Sequence, residues 1–209
     1  MHHDDFNFEP VRGLPEALPP DEVILWQGSP DPGRLAVEAY KLRWVAGYFG
    51  VLALWRFGAS AADFPLAAAL LHAVPPLLLG LVACGILYGL AWVQAKAAVY
   101  TLTNKRVAMR IGAALSMTLN LPYVCIGNAA LDVRGSGHGT LAFELIGGTR
   151  LSFLMSWPHV RPRHWARTQP ALRCIPDAAR VADIFADAAE ARVSQPRVSR
   201  VTADLMAAE

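Results

Sequence analysis

The sequence predicts a membrane-embedded hairpin of two α-helices joined to an α+β domain, in which a curved antiparallel sheet is capped by a C-terminal helix. Three observations predict this class. Of the 209 residues, 54% are hydrophobic and only 17% are charged, which is apolar for a soluble chain. The apolar residues concentrate in the first half, whereas the chain after residue 98 alternates polar and apolar residues between turn signals. A last segment repeats its apolar residues at helical spacing.

Residues 1–40 form an acidic N-terminal segment. Residues 1–38 contain eight Asp and Glu residues against two Arg residues, a net charge of −6. The first ten residues are acidic and lack an apolar core, so we expect no signal peptide. The stretch EVILWQG at 22–28 alternates well enough to supply a strand.

Residues 41–95 form a two-span membrane region. Residues 66–93 contain no charged side chain, and residues 44–62 contain only Arg56. A hydrocarbon core of about 30 Å needs roughly 20 helical residues, so residues 66–93 are too few to form two spans. We therefore expect spans near 44–62 and near 70–94. Pro75 and Pro76 kink or start the second helix, which leaves 66–74 along the interface.

The distribution of basic residues predicts the orientation of the hairpin. Lys41 and Arg43 precede the first span, several basic residues follow the second, and the connecting loop contains Asp63 and no Lys or Arg. The positive-inside rule then places both termini in the cytoplasm.

The second span carries two seams of small residues. Gly80 and Cys84 form one seam, and Gly85 and Gly89 form the other. Positions four apart lie about 40° from each other around a helix, whereas Gly80 and Gly85 differ by about 140°. The seams therefore face different directions, and small residues let helices pack closely in lipid. We expect the first span to use one seam and a second copy or a client helix to use the other. The alternative is that Gly85 and Gly89 pack only within the hairpin. The residues expected to face the seam from the first span are Ala46, Gly50 and Ala53.

Residues 96–193 form the α+β domain. The runs VYTLT and RVAMRI flank a turn at Asn104 and Lys105, and LSMTLNL and AALDVR follow. TLAFELI and TRLSFLM flank Gly147 and Gly148, a strong hairpin signal. The helix DAARVADIFADAAEAR closes the domain with Asp177 as its N-cap. Its apolar face consists of Val181, Ile184, Phe185 and Ala188. Residues 194–209 have little pattern and are expected to be a disordered tail.

The loop SWPHVRPRHWARTQP is a candidate interaction site. Structureless loops longer than about 12–15 residues are uncommon and often functional. Aromatic and guanidinium groups together suit a lipid headgroup interface or an acidic partner. The alternative is that one Trp packs against the terminal helix. The candidate residues are Trp157, His159, Arg161, Arg163, Trp165 and Arg167.

Catalysis is not expected, because the chain has no nucleophile elbow, phosphate-binding loop or zinc-protease motif. His159 and His164 lie five apart in a segment broken by prolines, which is poor metal geometry, and the three cysteines have no metal or disulfide spacing. We expect no cofactor. Residues 96–173 contain ten basic residues against two acids, a net charge of +8. Beside a membrane, this charge favours anionic lipid over nucleic acid.

Two resemblances sharpen these expectations. Apolar spans followed by VYTLTNKRVAMRIG resemble bacterial pleckstrin-homology-like domains of membrane proteins, and LPPDEVILWQGSP is similar to the lead-in of the same proteins. Together with SWPHVRPRHWARTQPALRCIPDAARVADIF, residues 12–190 resemble photosynthetic-complex assembly proteins of purple bacteria, which are encoded beside the reaction-centre H subunit.

The first resemblance implies a sheet of about seven strands, with 22–28 as the missing strand. The second implies a non-enzymatic factor of the bacterial inner (intracytoplasmic) membrane, whose partners are reaction-centre and core antenna subunits. The basic charge adds inner-membrane lipids as expected partners, and the small-residue seams add a second copy of the chain. The alternative function is a general membrane scaffold or lipid-binding protein unrelated to photosynthesis.

Overall fold

The computed structural model describes residues 11–135, 137–147 and 151–194. Five helices and seven strands occur in this part of the chain. The helices are α1 (Pro32–Glu38), α2 (Leu42–Ala61), α3 (Leu66–Ala97), α4 (Phe153–Ser156) and α5 (Ala178–Val193). The strands are β1 (Ile24–Gly28), β2 (Val99–Thr103), β3 (Arg106–Ile111), β4 (Met117–Pro122), β5 (Ile126–Val133), β6 (Gly139–Leu145) and β7 (Ala171–Ile175).

Helices α2 and α3 pack as an antiparallel hairpin. Near the loop, Ser60 Oγ lies 2.9 Å from His72 Nδ1. Further along, Gly80 packs against Phe49 so closely that a Cβ at Gly80 would lie 2.6 Å from the Phe49 Cβ. Only a glycine permits this approach, and Ala53 is also buried. Helix α2 thus contacts the Gly80 seam of α3 through Phe49 and Ala53.

The expected contributions of Ala46 and Gly50 to this seam are wrong. Ala46 is exposed, and a Cβ at Gly50 would meet nothing within 4 Å. The reason is the rotation of α2, which turns the bulkier Phe49 toward the small residue on α3.

Helix α3 is one continuous helix of 32 residues that includes Pro75 and Pro76 in its interior. The expectation that the helix starts at the prolines is therefore wrong, and residues 66–74 belong to the same helix. Membrane helices tolerate interior prolines because neighbouring groups can satisfy the freed carbonyls. Among helices in the described ranges, α3 alone is long and apolar enough to span a membrane by length and composition.

Seven antiparallel strands form two sheets rather than one curved sheet. The first sheet has the order β1-β2-β3-β4, and the second has the order β5-β6-β7. Strand β1 lies inside the stretch 22–28 and pairs with β2, with Gly28 opposite Tyr100. Buried Glu22 strengthens this edge, since it accepts hydrogen bonds from Thr103 Oγ1 and Arg106 Nε, both at 2.8 Å.

The core lies between the two sheets and α5. The helix buries Ala178, Val181, Phe185 and Ala188, and the Phe185 ring lies 5.0 Å from that of Phe143. This face agrees with the apolar spacing of the sequence, except that Ile184 is only partly buried. Asp177 occupies the N-cap position, but its side chain makes no capping hydrogen bond and its φ is 49°. The expected side-chain cap is therefore wrong.

The expected hairpin between TLAFELI and TRLSFLM is also wrong, because the described part of the second of these segments does not form a strand. Residues 148–150 lie outside the described residues, and Phe153–Ser156 forms one helical turn instead of a strand. On the side away from β5, strand β6 pairs with β7, a segment in which the sequence analysis predicted no strand. All five residues of β7 are buried. A strand buried on both faces lacks the alternation by which strands are recognised. The tail after Ser194 lies outside the described residues.

Candidate interaction site at the base of the hairpin

The first half of the candidate loop is buried. His159 is fully buried, and its Nδ1 lies 2.6 Å from the Tyr100 hydroxyl. The Tyr100 oxygen also accepts the backbone N–H of Arg173 at 3.4 Å, and the hydroxyl donates to Nδ1 in the tautomer of His159 that carries its proton on Nε2. Burial, with a smaller effect of the Arg173 charge, lowers the pKa of His159 to about 3. His159 is therefore neutral and internal, and in this conformation it cannot contact a partner.

The neighbouring residues attach the loop to the start of the hairpin. The Trp157 ring packs edge-on against Tyr40, with 4.8 Å between ring centroids, and it is 37% exposed. Cys174 on β7 is buried with Leu35 of α1 and Ala95 of α3. Burial, followed by the charge of Glu38, raises the pKa of the Cys174 thiol to about 12. This thiol is therefore protonated and serves as packing.

The second half of the loop faces solvent. Arg161 is tied back to Gln169 by a 3.1 Å hydrogen bond from its Nη1 to Oε1. Arg163 is exposed and has a φ of 68°. Trp165 is 71% exposed and stacks on Phe153 at 4.6 Å. The aromatic contacts of the two Trp rings are with Tyr40 and Phe153, neither of which belongs to α5.

Arg167 lies apart from the other two arginines. It lines a depression next to Gly127 and Glu144. Arg161 and Arg163 instead line a second cavity, at the start of α2. The structure therefore brings together only part of the predicted set.

We call this second cavity the basic cleft. It has a volume of about 650 Å³ and lies between the start of α2, strands β5 and β6, and the loop before β7. Its carboxylates are Glu38 and Asp132. Its six Lys and Arg residues are Lys41, Arg43, Arg134, Arg161, Arg163 and Arg173.

Two of the six basic residues are balanced by the carboxylates. Arg134 Nη2 lies 3.4 Å from Asp132 Oδ2, and Arg134 Nε lies 4.0 Å from Glu38 Oε1. Glu38 also lies 3.9 Å from Arg173 Nη2. Within the described residues, the side chains of Lys41, Arg43 and Arg163 have no ion pair. The cleft therefore keeps an excess of positive charge.

Sequence reasoning missed most of the basic cleft. Lys41 and Arg43 served only as orientation signals, and Arg173 lies on β7, a strand that the sequence analysis did not predict. Four separate segments of the chain supply the six basic residues, and no local pattern joins those segments.

A second candidate surface lies on α3. A Cβ at Gly85 or Gly89 would meet nothing within 4 Å, whereas Gly80 is packed against α2. Cys84 is half-buried. The two seams thus face different directions, and the interpretation that Gly85 and Gly89 pack within the hairpin does not match these contacts.

The fold and site define an antiparallel-sheet domain with a C-terminal helix, carried on an apolar helix. The family model for the bacterial PH domain matches residues 44–189, and the chain belongs to this family. The chain is 43% identical over 206 residues to an uncharacterised 23.7 kDa protein in the puhA 5′ region of Rhodobacter capsulatus. That match covers 95% of this chain and 94% of the relative.

A solved pleckstrin-homology domain protein from Shewanella loihica is 13% identical. The match covers 44% of this chain and 71% of the Shewanella chain, with a TM-score of 0.30. At this identity and TM-score, the match supports no conclusion about the function of this chain.

Proposed function

We propose that the protein is a non-enzymatic membrane assembly factor for the photosynthetic reaction centre and its core light-harvesting antenna. The observation that carries this proposal is the 43% identical relative, which is encoded in the puhA 5′ region of a purple bacterium. This position agrees with the resemblance of residues 12–190 to assembly proteins encoded beside the reaction-centre H subunit.

The pairing of β1 with β2 supports two membrane crossings. These strands hydrogen-bond to each other, so residues 28 and 99 lie on the same side of any membrane. The number of crossings between them is therefore even. If α3 crosses the bilayer, α2 must cross as well, although it is less apolar. With about 1.5 Å per residue, 20 residues span about 30 Å, which is the thickness of a hydrocarbon core.

The proposed mechanism is transient docking of membrane helices. The outward seam at Gly85 and Gly89 leaves the backbone of α3 accessible along one side. Small residues at such a seam permit close helix approach, the main source of helix affinity in lipid. The occupant would be a helix of a reaction-centre or core antenna subunit, or a second copy of the chain. The cytoplasmic domain would hold the complex at the membrane surface.

Absorption spectra of membranes from a deletion strain test this proposal. We expect selective loss of reaction-centre and core antenna bands, with restoration by the wild-type gene supplied in trans. Unchanged spectra would contradict the assembly role and favour a general membrane scaffold.

A further inference from the structure

We propose that the basic cleft binds the phosphate of an anionic phospholipid headgroup at the cytoplasmic membrane surface. The inference rests on the two-span placement proposed above and not on the assembly role. It names a ligand class and a binding site, formed by the start of α2, the second sheet and the loop before β7.

Arg173 is the first observation. Its side chain lines the cleft, the residue is 5% exposed, and its Nε has no hydrogen-bond partner in the described residues. Its Nη1 donates to the Pro158 carbonyl at 3.1 Å, which fixes the direction of the guanidinium. Nε itself is shielded from solvent, so a phosphate in the cleft would contact the part of the guanidinium that lines it and would share this buried charge with Glu38, 3.9 Å from Nη2. Guanidinium groups bind phosphate in a planar, forked geometry.

The start of α2 is the second observation. Lys41 is the N-cap residue of this 20-residue helix, and its side chain makes no capping hydrogen bond. Lys41, Arg43 and Trp44 all line the cleft, so the positive end of the helix dipole lies beside it. Lys41 and Arg163 also have left-handed φ values of 58° and 68°, a conformation that non-glycine residues rarely adopt. Both residues hold unpaired positive charges at the cleft.

The position of the cleft selects a lipid over a soluble phosphate compound. Trp44 is 79% exposed, and the exposed apolar face of α2 continues from it through Val51 and Leu54. Exposed Trp residues at the start of an apolar helix lie at the headgroup level of a bilayer. A lipid with its phosphate in the cleft would therefore extend its acyl chains along α2. The charge excess favours an anionic headgroup, such as that of phosphatidylglycerol, over a zwitterionic one.

The test uses the full chain, purified and delipidated in detergent. Short-chain phosphatidylglycerol, phosphatidylcholine of the same chain length and inorganic phosphate are titrated separately, and the Kd is read from the shift in melting temperature. We expect binding of phosphatidylglycerol only. The double substitution Lys41→Asn and Arg163→Asn removes two charges with a residue that tolerates left-handed φ. It should weaken binding about 30-fold, the factor expected for two basic groups near a phosphate.

The matched control removes two exposed charges outside the cleft, with Arg167→Gln and Arg180→Gln, and should bind as the wild type does. Arg173→Lys keeps the charge but removes the planar, forked guanidinium, and we expect about tenfold weaker binding. If Arg173→Lys fails to fold, the double variant still decides the question. Equal binding of phosphatidylcholine or of inorganic phosphate would overturn the proposal, as would equal weakening in the control. No client complex is present, so failure of the assembly role leaves these outcomes unchanged.

Discussion

Acidification should destabilise the domain through His159. Histidine has an ordinary pKa of 6.5, and in the folded protein the pKa is lowered to about 3. The fold therefore holds the neutral ring, and its stability is complete above pH 6.5. Below that value the unfolded chain binds a proton that the folded chain excludes, so stability falls continuously as the pH drops toward 3. The slope is about 1.4 kcal/mol per pH unit, so acidification from 6.5 to about 5 removes roughly 2 kcal/mol.

The assay compares the wild type with His159→Gln, whose amide can still accept the Tyr100 hydroxyl but does not titrate. For a chain of this size, 2 kcal/mol corresponds to about 4–8 °C in melting temperature. We expect the wild type to lose that much more than the variant between pH 6.5 and about 5, measured by circular dichroism in detergent. Carboxylates that titrate near pH 5 affect both proteins and cancel in the difference. Parallel curves of melting temperature against pH would refute the reasoning.

Three further predictions concern the membrane and its partners. A reporter that needs the cytoplasm should work at both termini, and one that needs the periplasm should work only near 59–64; periplasmic activity of a fusion at residue 135 would contradict two spans. Replacing Gly85 and Gly89 by Leu should abolish self-association or client binding while the protein remains inserted and abundant, because these positions have open space. Loss of the protein from the membrane would instead identify an internal packing seam. Replacing the three loop arginines by Ala should leave the circular dichroism spectrum unchanged but lower complex yield, and wild-type yield would exclude the loop from the mechanism. Those arginines are Arg161, Arg163 and Arg167.

Features with a strong local signal could be predicted from the sequence. The turn at Asn104 and Lys105 joins β2 to β3, because the alternating runs on either side can pair only as a hairpin. Helix α5 was recognised from the spacing of Val181, Phe185 and Ala188, which face one core. In both cases the residues that make the element are neighbours along the chain.

Features that depend on distant segments could not be predicted in this way. Strand β7 is buried throughout, so it has no polar face to alternate with. The sequence analysis placed His159 in the candidate interaction set of its loop, yet its environment is set by Tyr100, which is 59 positions earlier. The basic cleft likewise depends on how β7 and the start of α2 come together.

The direct connection between α3 and β2 has a mechanical consequence. Helix α3 ends at Ala97 and β2 begins at Val99, so a single residue separates the long apolar helix from the first sheet. Helix α1 packs against the last turns of α3, and β1 pairs with β2, so both neighbours brace the joint. The helix is about 48 Å long at 1.5 Å per residue, and a 10° tilt about its far end would move the joint by about 8 Å. A change in the packing of α3 would thus be transmitted as a rigid displacement of the first sheet and of the elements packed against it.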